Sequence, residues 1–209
     1  MRTTVATVVL AVALGGVACN RESRGDKVNE ASVATANQPA DNSGEHAQMA
    51  EVPVSEPMRA QAQLTAAEGS KIDGEAKFFQ QPDGVLVVLE VQDATPGKKG
   101  VHVHTRGDCS DIKGQSMGPH FAPKLEQHAL PSEGTDRHLG DLGNITVADD
   151  GKGRLEIKVP SATLGADDST SFLGRAIIVH TGEDTGSGAQ PAGNSGTPIA
   201  CGVIHEMGS

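Results

Sequence analysis

Past Met58 the chain is a succession of short apolar stretches set apart by Gly, Pro or Asp, and this rhythm constrains the fold more than any other feature. The stretches fall at residues 60–64, 76–79, 85–91, 101–104, 145–147, 155–159, 176–179 and 199–204. These are strand lengths, and no helix of ordinary length is evident. Leu155, Glu156, Ile157, Lys158 and Val159 alternate apolar with charged, as a strand with one buried and one wet face does. Turn signals at Asp73-Gly74, Asp83-Gly84 and Asp150-Gly151 fall between candidate strands, and the first two are placed for hairpins. Two long connections, 106–142 and 181–197, are rich in Gly and polar residues; connections of that length inside a compact domain are usually functional or disordered. The pattern predicts an antiparallel sandwich or flattened barrel with two large loops.

Composition narrows what such a barrel can do. The 209 residues suffice for one modest domain plus extra length, and 36% hydrophobic content supports a core of Val, Leu, Ile and Ala. Four Phe, no Trp and no Tyr leave no aromatic platform for stacking bases. Seventeen Lys and Arg against 27 Asp and Glu give a net charge of −10, so nucleic acid and anionic membrane surfaces are excluded as partners.

The chemistry-bearing residues are histidines. His102 and His104 lie one residue apart in a candidate strand, so both rings project from one face and can reach one metal. Such a pair alone is more often structural than ligating. However, His120, His128, His138 and Asp141 lie in or at the end of the first long connection, and a loop without regular structure gains order by wrapping a metal. A mixture of imidazoles with one carboxylate suits zinc, and an all-imidazole set suits copper.

Taken in order, Gly100-Val101-His102-Val103-His104, Gly107-Asp108-Cys109-Ser110, Gly118-Pro119-His120-Phe121, Arg137-His138-Leu139-Gly140-Asp141-Leu142-Gly143-Asn144, Gly174-Arg175 with Val179-His180, and Ala200-Cys201-Gly202-Val203-Ile204 resemble the copper/zinc superoxide dismutase family. The resemblance runs from about residue 60 to 205 and implies an all-β fold, the Greek-key antiparallel sandwich, or flattened eight-stranded barrel, that this family shares with other β-sandwich proteins. It implies copper held by His102, His104, His120 and His180, and zinc held by His120, His128, His138 and Asp141. His120 would bridge the two metals as an imidazolate. Asp184 matches the carboxylate that accepts hydrogen bonds from one ligand of each metal and so fixes ring tautomers. Cys109 and Cys201 match the family's disulfide, whose loop of on the order of ninety residues is worth about 4–5 kcal/mol in the chain-entropy picture.

The implied reaction is dismutation of superoxide to oxygen and peroxide, with His120 the catalytic donor of a proton to departing peroxide. Three departures bear on rate. Pro198 stands where the family usually has an Arg beside the copper, residues 181–197 contain no Lys or Arg, and Ala122 stands where the family usually has Asn. Proline offers neither charge nor donors, so attraction of the anion is weakened. A rate below the diffusion limit, at which superoxide dismutases are counted, is the consequence. The alternative reading is an extracytoplasmic copper- and zinc-binding protein with weak or no turnover.

Arg2, the apolar run 5–14 and the small residues 15–18 read as a signal peptide, residues 1–18, too short to span a bilayer. Cys19 follows directly and resembles the lipid-bearing cysteine of bacterial lipoproteins; Gly16 stands where that motif usually has an aliphatic residue, so cleavage and release is the alternative. If Cys19 takes a lipid, Cys109 and Cys201 remain to pair in an oxidising compartment. Residues 19–57 show neither strand nor helix period and read as a disordered tether, leaving 58–209 as the folded domain. The expected location is the periplasm or cell envelope, with secretion as the alternative and membrane contact only through the N-terminal lipid. A homo-oligomer is compatible with the sequence, because alternation does not distinguish an interface strand from a wet one.

Overall fold

The computed structural model describes residues 58–208 apart from 114, 125 and 189–191. The signal segment 1–18, Cys19 and the tether to residue 57 lie outside the described residues. Each of the eight apolar stretches is a strand, generally extended by flanking polar residues. They are β1 (Arg59–Gln63) with β2 (Thr65–Ala66), β3 (Asp73–Gln81), β4 (Gly84–Gln92), β5 (Gly97–His104), β6 (Asp141–Val147), β7 (Gly153–Pro160), β8 (Ala176–His180), and β9 (Pro198–Val203) with β10 (His205–Glu206). Among the described residues, helical structure is confined to two single turns, Pro131–Glu133 and Gly186–Gly188.

All neighbours are antiparallel, in the order β10-β1-β3-β4-β7-β6-β5-β8-β9-β2. The ends of that order meet. β1 and β2 are one stretch broken at Leu64, and β9 and β10 are one stretch broken at Ile204; both interrupting side chains are buried. Because β1 pairs with β3 and β10 while β2 pairs with β9, the eight stretches close on themselves. Two connections make the Greek key: β4 to β5 passes over β7 and β6, and β7 to β8 passes over β6 and β5.

Period-two alternation decides which face holds what. Val101 and Val103 of β5 point into the main core and are fully buried, so His102 and His104 point outward. On β8, Ile177 and Val179 join the main core, while Ala176 and Ile178 pack outside it with Met117 and Cys201, on the face that His180 continues. Phe172 fills the core centre, edge-on to Phe78 and to Phe121 with both ring centroids at 6.2 Å. Burying each such side chain is worth about 1.5–3 kcal/mol.

Two turn signals act as the sequence suggests: Asp83-Gly84 closes the β3–β4 hairpin, and Asp150-Gly151 turns β6 into β7 with Gly151 at φ +80°. Asp73-Gly74 does not turn the chain. It opens β3, paired with Gln92 and Val91, and glycine is needed there because a Cβ would collide with the Glu90 carbonyl oxygen. The first long connection is shorter than read from sequence, since Asp141 and Leu142 belong to β6. Cys109 and Cys201 are joined, tying that connection to β9 across a separation of 92 residues.

Candidate metal centre

Each histidine reaches the centre for a local reason. His102 and His104 share the outer face of β5; His120 is drawn alongside by a bridge that pairs it with His104; a bulge at the end of β8 turns His180 in. The His102 and His120 rings stack at 3.9 Å between centroids. All four rings are buried.

In every one of these four rings, one nitrogen is held and the other has no protein partner. His102 Nε2 lies 2.8 Å from Asp184 Oδ2, His104 Nδ1 2.6 Å from the Gly118 carbonyl, His120 Nδ1 2.9 Å from Asp141 Oδ1, and His180 Nδ1 3.0 Å from the Gly196 carbonyl. The remaining atoms, His102 Nδ1 and the Nε2 of His104, His120 and His180, are buried without a hydrogen-bond partner. The four side chains offer ligand atoms within 4.8 Å of one another. Buried polar atoms are normally paired, so four orphans converging on one point are what a metal ion would satisfy. The all-imidazole set fits copper.

On the other side of His120, a carboxylate oxygen forms the hub. Asp141 Oδ1 faces the Nδ1 atoms of His120, His128 and His138 at 2.9, 3.0 and 3.3 Å, and Asp141 Oδ2 accepts from the Ala129 amide at 3.1 Å. Three imidazole nitrogens and one carboxylate oxygen are a donor set that could hold zinc in tetrahedral geometry. His102, His120, His128 and Asp141 also offer atoms within 4.8 Å of one another, but His102 has its Nε2 on Asp184 and its Nδ1 toward the first cluster, so His138 completes the second.

Asp184 spans the clusters. Its Oδ2 accepts from His102 and its Oδ1 from His128 Nε2, at 2.8 Å each, and the Gly186 amide donates to Oδ1 at 2.9 Å. Asn144 clamps its backbone at both amide and carbonyl. Burial pushes His102, His104 and His180 down to about 3, 2 and 4, so these rings stay neutral and metal-ready. Burial also opposes protonation of His128, but the Asp141 and Asp184 carboxylates beside it outweigh burial and raise this ring to about 9. Burial would raise both carboxyls, yet their imidazole partners hold them well below the usual carboxylate range.

A cavity of about 720 Å³ opens onto His104, His120, His138 and His180 and is bordered by Ala122 and Pro198. Glu126 is the one Asp, Glu, Lys or Arg among its described lining residues.

The structure brings His102, His104, His120, His128, His138, His180, Asp141 and Asp184 into one cluster and joins Cys109 to Cys201, while Cys19 lies outside the described residues. The carbonyls of Gly118 and Gly196, which aim His104 and His180, were missed because a backbone acceptor leaves no residue-type signal. Gly193 was missed too: at φ +67° it packs so closely on Asp184 Oδ1 and His128 Nε2 that a Cβ would collide with both.

A closed Greek-key barrel carrying an all-imidazole cluster and a three-imidazole, one-carboxylate cluster that share one ring defines a binuclear metalloprotein. Residues 72–204 match the family model for copper/zinc superoxide dismutase. The chain is 39% identical over 153 residues to superoxide dismutase (Cu-Zn) 2 of Brassica juncea, a match covering 70% of this chain and 97% of that one. The crystal structure of the clock protein EA4 superposes with a TM-score of 0.64 at 34% identity, over 71% of this chain and 94% of that one. The chain belongs to the copper/zinc superoxide dismutase family, oxidoreductases that dismutate superoxide with copper and zinc as cofactors.

Proposed function

We propose that in this dismutase copper is held by His102 Nδ1 and by the Nε2 atoms of His104, His120 and His180, and zinc by the Nδ1 atoms of His120, His128 and His138 with Asp141. The observation that carries this is the division of labour within the rings: each copper-side imidazole has one nitrogen tethered and the other buried and unpartnered. Bound copper supplies the one-electron couple and bound zinc a redox-inert charge. The chain's own groups do the rest. His120 has one nitrogen toward each cluster, so its Nε2, when not engaged by copper, is the atom that would take up a proton and hand it to departing peroxide. Asp184 and the carbonyls of Gly118 and Gly196 keep the other rings in the tautomer that leaves the metal-facing nitrogen bare.

Approach of the anion is the weak point of the design. Pro198 contributes no charge to the cavity wall, residues 181–197 have no Lys or Arg, and Glu126 is acidic. We therefore place the rate below the diffusion limit. Pulse radiolysis on protein loaded with copper and zinc tests the reading; a rate no greater than that of metal-free protein refutes it. The same cavity wall favours a second reading, a copper- and zinc-binding protein with weak turnover, which predicts tight metal binding beside poor dismutation.

Our reading extends to the chain's location: residues 1–18 are removed on export, Cys19 carries a lipid, and 19–57 tether domain 58–209 at the cell envelope. The disulfide supports an oxidising compartment. Mass spectrometry of the mature N-terminus tests it, and an unmodified, soluble product would indicate secretion instead.

A further inference from the structure

We propose that Glu133 is a latch that joins the two long loops and positions Asp184, and through Asp184 the rings of His102 and His128. The inference rests on the assignment of His128 to zinc.

Glu133 is the last residue of the Pro131–Glu133 turn, in the first loop, and its carboxylate is fully engaged. Oε2 accepts from the Leu130 amide at 2.6 Å, which closes its own turn, and from the Ser187 amide at 3.0 Å. Oε1 accepts from the Ser187 hydroxyl at 2.6 Å. Ser187 belongs to the second loop, in the Gly186–Gly188 turn, and the amide of its neighbour Gly186 donates to Asp184 Oδ1. Gly186 is at φ +80°, a conformation that favours glycine, and a Cβ there would push the Glu133 carboxylate out of its place on Ser187.

The other side of the latch is anchored as well. Buried Arg137 donates to the Gly134 carbonyl at 2.7 Å and to the Asp141 carbonyl at 3.2 Å. A closed circuit results: Asp141 at the start of β6, Arg137, Gly134 and Glu133 on the first loop, Ser187, Gly186 and Asp184 on the second, and His128 returning to Asp141. In this circuit the step from Glu133 to Ser187 is the crossing between loops that uses no metal-facing ring. Together with the Asn144 clamp on the Asp184 backbone, it holds Asp184 before metal arrives. An exposed glutamate with a single ion-pair partner would be worth little, but three charge-assisted hydrogen bonds to two segments are a specific device.

Partners that orient a ligand typically change metal affinity by about 10–100-fold, and one step further out the lower end applies. The test is zinc affinity of the full chain by competition with a chromophoric chelator, for wild type, Glu133→Ala, Glu133→Gln, Ser187→Ala and the Glu133→Ala/Ser187→Ala double variant. We expect zinc about tenfold weaker in Glu133→Ala, partial recovery in Glu133→Gln, and a double variant no weaker than Glu133→Ala. Faster solvent exchange of the His102 and His128 imidazole N–H protons in the metal-free Glu133→Ala protein is the accompanying NMR signature. An affinity within twofold of wild type, losses that multiply in the double variant, or unchanged imidazole exchange would each overturn the latch. Absence of zinc binding by wild type would overturn the ligand assignment beneath it.

Discussion

Reducing the Cys109–Cys201 disulfide in the metal-free protein is expected to lower its melting temperature by roughly 10–18 °C. The bond closes a span of 92 residues, for which loop-closure entropy of the denatured chain gives about 4.6 kcal/mol. For a domain of about 150 residues, 1 kcal/mol moves the midpoint by about 2–4 °C. Little is added by the freed thiols, because Cys201 sits in an apolar cluster with Ile112, Met117, Ala176 and Ile178 and a thiol there behaves as a small hydrophobe. Metal-free protein is the right material, since a bound metal adds its own linkage to the folded state. Scanning calorimetry with and without a thiol reductant makes the measurement. A drop under about 3 °C would refute the reasoning, and would mean that the reduced, denatured chain already keeps Cys109 near Cys201.

Further outcomes follow from the same geometry. Pro198→Arg is expected to raise the dismutation rate roughly threefold, from one added charge about 6 Å from the anion in water-like dielectric, and to make added salt slow the reaction; pulse radiolysis at two ionic strengths with no response would clear Pro198. Gly193→Ala drives a Cβ into Asp184 and His128, so zinc retention in equilibrium dialysis is expected to fall by about 10–100-fold, and an unchanged affinity would show that the loop simply shifts. Near neutral pH, zinc uptake is expected to displace a proton from His128, raised to about 9, while copper uptake meets His102, His104 and His180 already neutral above about pH 4; calorimetric titrations in buffers of different ionisation heat would show no proton release from zinc uptake if this is wrong. Because the His128 value lies above that of the unfolded chain, its contribution to metal-free stability is complete below about pH 6.5 and is lost as pH rises toward 9, which denaturant titrations across that range will read.

Strand positions were legible because burial leaves a period in the sequence: Val101 and Val103 against His102 and His104 announce both the strand and the face that carries the site. The Asp73-Gly74 signal misled, because a glycine required by the close approach of Glu90 looks the same in sequence as one required by a turn. The ligand sets could be assigned only through the family resemblance, since spacing alone does not say which of His120, His128 and His138 converge. Asp184 illustrates the limit: alone it reads as a loop acid in water, and only folding buries it between His102 and His128.

By itself, then, the sequence determined the strands, the shared face of His102 and His104 and the histidine inventory, which depend on residue type and local period, and the family resemblance added the missing cation at Pro198. Tertiary structure decided what depends on direction and distance: which nitrogen of each ring is tethered, the carbonyls of Gly118 and Gly196 that tether two of them, and the link from Glu133 to Ser187. The physical reason is that hydrogen bonds and metal sites are set by atom positions to within fractions of an ångström, and residues as far apart in the chain as His102 and Asp184, 82 positions, acquire such positions only when the barrel closes.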